Sequence, residues 1–311
     1  MTNTTPIQGP RILVIRGGAI GDFILTLPVL TALRVRFPNA EVDVLGYPRI
    51  ASLALLGGLV KAVHALESPG LAKLFARGCA IDPEWREFFG QFAIIISYLY
   101  DPDGIFQTNV KLCGPDQFIS AQHRPDENKQ IHASEVFLKP LEQLTIFDGD
   151  PVARLELPEL NKCHNFLALH PGSGSESKNW PENNWRELVK YLLDHSPLNL
   201  LLVGGEAEGE KLDRLSRLFP CDRLEIAQNT PLPDLASRLA RCIGYIGHDS
   251  GVTHLASALG LPTLVLWGAT NDKVWRPLGL KVRVIKQQSD IGSLPLETVL
   301  ETINDLWLEV F

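Results

Sequence analysis

Three short stretches bring ionisable residues and glycines together at spacings that suit group transfer. The first, Gly17-Gly18-Ala19-Ile20-Gly21-Asp22, joins the apolar run RILVIR to a helix-like run. Glycine lets a backbone turn tightly and approach a ligand, and a helix N-terminus carries partial positive charge. That order of strand, glycine turn and helix normally builds a nest for a phosphate, yet a carboxylate there would repel an anion, which leaves the role of Asp22 to be explained. The loop fits neither G-x-G-x-x-G nor the P-loop, which needs G-K-[ST]. Asp22 then has two readings: a helix N-cap, for which aspartate is among the best residues, or a general base.

The second stretch is HPGSGSESKNWPENNWREL, residues 170–188. The hydroxyls of Ser173, Ser175 and Ser177, free backbone amides and the Lys178 ammonium make a diphosphate cradle; the bland alternative is a solvated surface loop. Pro181 suits the first turn of a following helix. The third, IGHDSGVTHLASALGLPTLVLWGATND (246–272), ends a strand at His248-Asp249 and opens a helix. The first turn of that helix offers the N–H groups of Ser250, Gly251 and Val252 to an anion. His254 lies four residues past Ser250 on the same face; its alternative is a buried histidine bonded to a neighbouring loop. His248 and His254 lack the i, i+4 spacing of a metal-binding H-E-x-x-H helix.

The elements that must position these loops alternate. Continuously apolar, β-branched runs predict buried parallel strands at 11–16, 41–47, 62–66 and 92–98, with an edge strand at 116–120 and helices at 22–36 and 132–147. A second series begins at 166–173. Strands follow at 198–205, 224–227, 243–247, 262–268 and 281–285, and helices at 181–195, 206–218, 231–240, 250–260 and 295–308. Residues 148–165 carry two prolines and no helical period, and predict a linker between domains at 1–155 and 156–311. Two Rossmann-like units of this kind bind ligands beyond the carboxyl ends of their strands, where all three loops fall.

The 311 residues suffice for two domains. A composition 45% hydrophobic and 21% charged is that of a globular protein. The net charge of −7 argues against a nucleic-acid binder. Five cysteines without a C-x-x-C pair predict thiols in a reducing compartment. The N-terminus MTNTTPIQGP has no signal-peptide pattern, and the apolar run 92–100 is far shorter than the ~20 residues of a membrane helix. The expected location is cytoplasmic, at most resting on a membrane surface.

Taken in order, the three motifs resemble glycosyltransferase family 9, the bacterial lipopolysaccharide heptosyltransferases. The likeness rests on GD followed by TLPVL, on HPGS…K-WP…W-REL, and on HDSGVTHLASALGLPTLVLWG, across roughly 11–290, and is faint over 65–150. Gly17-Gly18 stand where such enzymes often carry hydroxyl residues.

The resemblance implies a GT-B fold, α/β with two Rossmann-like domains of parallel sheet facing a central cleft. The N-terminal domain would take the acceptor and the C-terminal one the nucleotide-sugar donor, with helix 295–308 packing back on the first. It implies inverting transfer from ADP-heptose or a related sugar nucleotide to a phosphorylated glycolipid or oligosaccharide of the lipopolysaccharide-core type. Neither cofactor nor metal would be needed, and the acceptor would bring the enzyme to the inner face of the membrane. Asp22 would be the base. Ser173, Lys178, Asp249, Ser250, Gly251, Val252 and His254 would bind the donor, with Glu208, taken from Glu206, Glu208 and Glu210, at its ribose. Arg16, Gly18 and Gly21 would meet the acceptor, Arg16 through a phosphate.

Three alternatives stand beside it. Asp101 and Asp103 could form a metal-binding D-x-D, though D-P-D also makes ordinary turns. A nucleotide-sugar epimerase or hydrolase would share the fold. A binding protein without turnover would use the same loops and ignore Asp22.

Overall fold

An apolar run without polar alternation is stable as a strand when both its faces are covered. RILVIR forms β1 (Arg11–Arg16), five of its six residues buried. This computed structural model describes residues 9–157, 165–219, 222–287 and 290–306, and the chain divides into two units, Met1–Pro151 and Val152–Phe311.

From β1 the first unit runs through α1 (Ile20–Ile24), α2 (Leu27–Arg36), β2 (Glu41–Gly46), α3 (Pro48–Leu56) and β3 (Ala62–Ala65). It continues with α4 (Pro83–Gly90), β4 (Ile94–Ser97), α5 (Ile105–Lys111), β5 (Gln117–Ser120) and α6 (Ala133–Leu138). The second unit runs through β6 (Phe166–His170), α7 (Glu182–His195), β7 (Asn199–Gly204), α8 (Gly209–Leu218), β8 (Leu224–Gln228) and α9 (Leu232–Leu239). It ends with β9 (Cys242–His248), α10 (Gly251–Ala258), β10 (Thr263–Trp267), α11 (Asp272–Trp275), β11 (Val282–Lys286) and α12 (Leu296–Leu306).

Both sheets are parallel, ordered β3-β2-β1-β4-β5 and β11-β10-β9-β6-β7-β8. In each, the first strand of the unit is where the order reverses. β1 lies between β2 and β4, and β6 between β7 and β9. Loops leaving two strands at such a reversal diverge and open a crevice for ligands. The Gly17 loop follows β1, the Gly/Ser loop follows β6, and Asp249-Ser250 follows β9. Topology therefore puts all three motifs at reversals.

Departures from the sequence reading have local causes. The helix read at 22–36 splits into α1 and α2, because Pro28 cannot donate to the carbonyl four residues back. Pro140 likewise turns the helix read at 132–147 into α6 followed by a 3-10 segment, Lys139–Leu144. The short helices α3, α4, α5 and α11 leave no signal in the sequence, being no longer than nine residues and too brief for a helical period to stand out. Part of the linker, 158–164, lies outside the described residues, as do 307 and 308 of the last helix. Val299 and Ile303 of α12 enter the core of the second unit with Trp180, Trp185 and Leu188.

Cys79, Cys113 and Cys242 are free thiols, while Cys163 and Cys221 lie outside the described residues. Burial pushes the Cys242 thiol up to about 12 and raises that of Cys113. Among the described residues, no helix is long and apolar enough to cross a membrane.

One buried charge cluster ties β1, β2 and β3 together. The Asp43 side chain is fully buried; Arg11 Nη2 donates to its Oδ2 at 2.6 Å, and His64 Nε2 lies 2.9 Å from the same oxygen. Burial opposes the charge, but hydrogen bonds from His64 and Arg11 outweigh it and hold the carboxyl below its ordinary value. A folded-state pKa depressed in this way contributes stability above the unfolded value, about 4, and the contribution is lost as pH falls through the folded value. Asp43→Asn should therefore lower stability near neutrality and lessen its decline below about pH 4. Urea denaturation across that range measures both; an unchanged acid slope would remove the cluster from the account.

Candidate active site

After β1 the backbone turns through Gly18 at φ 104°. A Cβ on Gly18 would sit 2.7 Å from Asp22 Oδ2, so the residue is small for a reason of contact as well as of conformation. The helix that follows begins at Ile20 with Ala19 as its N-cap, which places Asp22 at the third helical position. Asp22 is therefore not the N-cap residue. Its Oδ2 folds back to accept from Ala19 N at 2.9 Å, the carboxylate half of a capping box. Its other oxygen, Oδ1, lies 3.7 Å from Arg16 Nη2, and the side chain is 33% exposed. Thr26 Oγ1 donates to Asp22 O at 2.8 Å and fixes the kink between α1 and α2. Gly21 is half-buried beside Asp22 in the same turn.

Arg16, the expected contact for an acceptor phosphate, is turned inward and only 3% exposed. Its guanidinium lies 4.3 Å from the Phe137 ring centre and 5.6 Å from that of Tyr98, and Nη1 donates to His123 O at 2.8 Å.

In the second unit, His248 at the end of β9 holds both ends of the Gly/Ser loop. Trp180 N donates to its Nε2 at 2.8 Å, and its Nδ1 lies 3.3 Å from Gly172 O. A carbonyl only accepts, so Nδ1 carries the proton. Burial drives the pKa of this ring down to about 3, and the imidazole is neutral. With both nitrogens committed, neither serves a metal.

Inside the loop, Ser173 Oγ donates to Asn179 Oδ1 at 2.7 Å, with Ser175 O at 2.9 Å. Glu208 is buried; its Oε1 accepts from Gly174 N at 3.1 Å and its Oε2 from Gly205 N at 2.8 Å. A Cβ on Gly172 would overlap the Glu208 side chain. Glu208 thus joins the loops after β6 and β7, whereas Glu206 is exposed.

Lys178 is delivered to the start of α10. Its Nζ donates to Asp249 Oδ2 at 2.6 Å, and Thr270 Oγ1 donates to the same oxygen at 2.7 Å. Ser250 is the N-cap of α10, accepting from Thr253 N at 3.4 Å. Gly251 and Val252 follow, with first-turn N–H groups that have no acceptor within the helix. His254, one turn further on, is buried.

Behind them runs a chain of buried polar groups. Tyr245 OH lies 3.0 Å from Thr253 Oγ1 and 3.1 Å from His170 Nδ1, which is 3.3 Å from Ser250 Oγ. Thr253 also donates to His248 O. Burial brings His170 down to about 4, against the opposing charge of Glu208, and raises the Tyr245 phenol. Both are neutral, and they hold the N-terminus of α10 in place.

Lys178, Asp249, Ser250, Gly251 and Val252 thus converge, while Ser173 and Glu208 brace the loop that carries Lys178. Sequence reasoning missed Thr270, Tyr245, Thr253 and the bracing role of His170. For His170 and Tyr245 the available signal was a polar residue on an otherwise apolar strand; Thr253, on α10, and Thr270, in the loop after β10, carried no such signal. Asp101 accepts from Phe106 N at 3.2 Å and Gln107 N at 2.9 Å and so caps α5, and Asp103 lies 3.8 Å from Arg77. Among the described residues, no three His, Cys, Asp or Glu side chains are grouped to hold a metal ion.

Comparison with known proteins bears on the fold and the family. The family model for glycosyltransferase family 9 (heptosyltransferase) matches residues 141–295. Lipopolysaccharide heptosyltransferase 1 of Pseudomonas aeruginosa is 23% identical over 287 residues, covering 84% of this chain and 79% of its own. The family 9 glycosyl transferase of Veillonella parvula superposes with a TM-score of 0.79 at 18% identity, over 99% of this chain and 100% of the other. E. coli heptosyltransferase WaaC, solved with ADP-2-deoxy-2-fluoro heptose, gives 0.72 at 21% identity, over 95% and 99%. Two parallel α/β units, these loops at the sheet reversals and a family match through the second of them make the chain a heptosyltransferase-like glycosyltransferase of family 9, with the GT-B fold.

Proposed function

We propose that this enzyme transfers a heptose, or a closely related sugar, from an ADP-sugar to a hydroxyl of a phosphorylated glycolipid or oligosaccharide of the lipopolysaccharide-core type, with inversion and without a metal ion. The observation that carries the reading is the meeting of Lys178, Asp249 and the open N-terminus of α10 at a sheet reversal. An ammonium beside free helix N–H groups is a site for a diphosphate. The ligand named with the E. coli WaaC structure supports ADP-heptose as the donor.

In this mechanism Asp22 takes the proton of the acceptor hydroxyl as that oxygen attacks the anomeric carbon. The new carbon–oxygen bond forms while the bond from that carbon to the diphosphate breaks, and the electron pair leaves on the β-phosphate oxygen. Attack opposite the leaving group inverts the centre. The charge released is met by Lys178 and by the N–H groups of Gly251 and Val252, fixed in advance and needing no reorganisation. Asp249 and Thr270 set the position of the ammonium, and Ser173 and Glu208 the shape of the loop. His254 and Ser250 would stand beside the diphosphate and the sugar. Gly18 and Gly21 leave room for the acceptor next to Asp22. A lipid-linked acceptor would draw the enzyme to a membrane surface.

Positioned proton transfer contributes typically 10²–10⁴-fold. Asp22→Asn should lower turnover by about two orders of magnitude or more and leave ADP affinity, read by calorimetry, nearly intact. Ordinary turnover in the variant would refute the base. Lys178→Ala should weaken ADP binding by roughly tenfold or more, the worth of a hydrogen bond to a charged group; unchanged affinity would end its donor role. Transfer should persist in EDTA, and free sugar should stay scarce when acceptor is present. Loss of transfer in EDTA would bring back a metal, and abundant free sugar would favour a hydrolase.

A further inference from the structure

A guanidinium in the middle of a sheet needs a reason. Arg16 ends a strand whose four preceding residues are apolar and buried, and it is itself 3% exposed. Arginine keeps its charge in any protein environment, and an unpaired buried charge is strongly unfavourable. Its Nε is buried without a hydrogen-bond partner, so the site was not arranged to satisfy every donor. The rings of Phe137 and Tyr98 close around it, and His123 O accepts from Nη1 at 2.8 Å. The remaining nitrogen, Nη2, is aimed at Asp22, 3.3 Å from its carbonyl oxygen and 3.7 Å from Oδ1.

We propose that Arg16 is the positioning residue of Asp22, holding its carboxylate and the turn that carries it in place, and that it contacts neither acceptor nor donor. This rests on Asp22 being the base. The geometry divides the two carboxylate oxygens. Oδ2 is tied to Ala19 N at 2.9 Å, and Oδ1 lies 3.7 Å from the guanidinium, close enough for attraction but too far for a hydrogen bond. Oδ1 therefore keeps its lone pairs for an incoming hydroxyl.

The ionisable groups facing Arg16 are Asp22 and Tyr98. Tyr98 donates its phenol to Phe137 O at 2.5 Å, and burial keeps that phenol protonated. His123 offers a backbone carbonyl, and α6 offers the Phe137 ring. The charge of Arg16 is left to act on Asp22 alone.

The test is kcat measured apart from acceptor KM, with ADP affinity, in Arg16→Met, Arg16→Lys and Asp22→Asn. Arg16→Met should lower kcat at least tenfold and leave acceptor KM and ADP affinity unchanged. Arg16→Lys keeps the charge but cannot reach both His123 O and Asp22; it should restore kcat in part. In the Asp22→Asn background, Arg16→Met should cost nothing further, because two residues acting through one group do not add.

A rise in acceptor KM with kcat preserved, in either Arg16 variant, would overturn the proposal and return Arg16 to contact with an acceptor phosphate. Full kcat in Arg16→Met, with Asp22→Asn inactive, would overturn it as well. If the methionine variant fails to fold, the lysine variant decides through the split between kcat and KM. Full turnover in Asp22→Asn would instead sink the reading beneath it, a result separable from every outcome at Arg16.

Discussion

A neutral imidazole is the fixed point of the second unit. His248 accepts from Trp180 N on one side and donates to Gly172 O on the other, so one ring closes both ends of a loop made mostly of glycine, serine and charged residues. Such a chain left free would lose much conformational entropy on each encounter with a ligand. The imidazole works only while uncharged, since a second proton would face the Trp180 N–H and remove its acceptor. Burial ensures this, with the pKa held at about 3. The indoles keep the ring dry: Trp185 lies 5.4 Å from His248 and 5.6 Å from Trp180, whose own Nε1 donates to Leu294 O at 2.9 Å.

The two units use a helix N-terminus in opposite ways. α1 meets its own needs, because Asp22 in its first turn accepts from Ala19 N and puts negative charge where an anion would sit. α10 is capped by a neutral serine and followed by glycine and valine, so its first amides stay open, with Lys178 beside them. One end is suited to receiving a proton and the other to receiving negative charge. The difference comes down to one residue in the first turn of each helix.

The sequence made the strands legible, because RILVIR, FLALH and TLVLW are short, continuously apolar and bounded by turn residues, and the glycine loops behind them mark the ligand edge. Helix ends were less legible. Pro28 and Pro140 break apolar patterns that look continuous, and proline acts through a missing N–H that hydrophobic periodicity ignores. Within the site, residue type exposed Asp22 and Lys178 but not their partners. Thr270 lies far from Asp249 in sequence and reaches it only because β9 and β10 are neighbours. Arg16 shows the same limit from the other side. A basic residue before a glycine loop suggests a ligand contact, and only the rings of Tyr98 and Phe137, brought in by other elements, show that it turns inward.

With its charge already answered by a carboxylate 2.6 Å away, the Lys178 ammonium presents little net field to its surroundings. The same contact holds the ammonium beside the first amides of α10, so donors from two different loops stand in fixed register before any anion arrives.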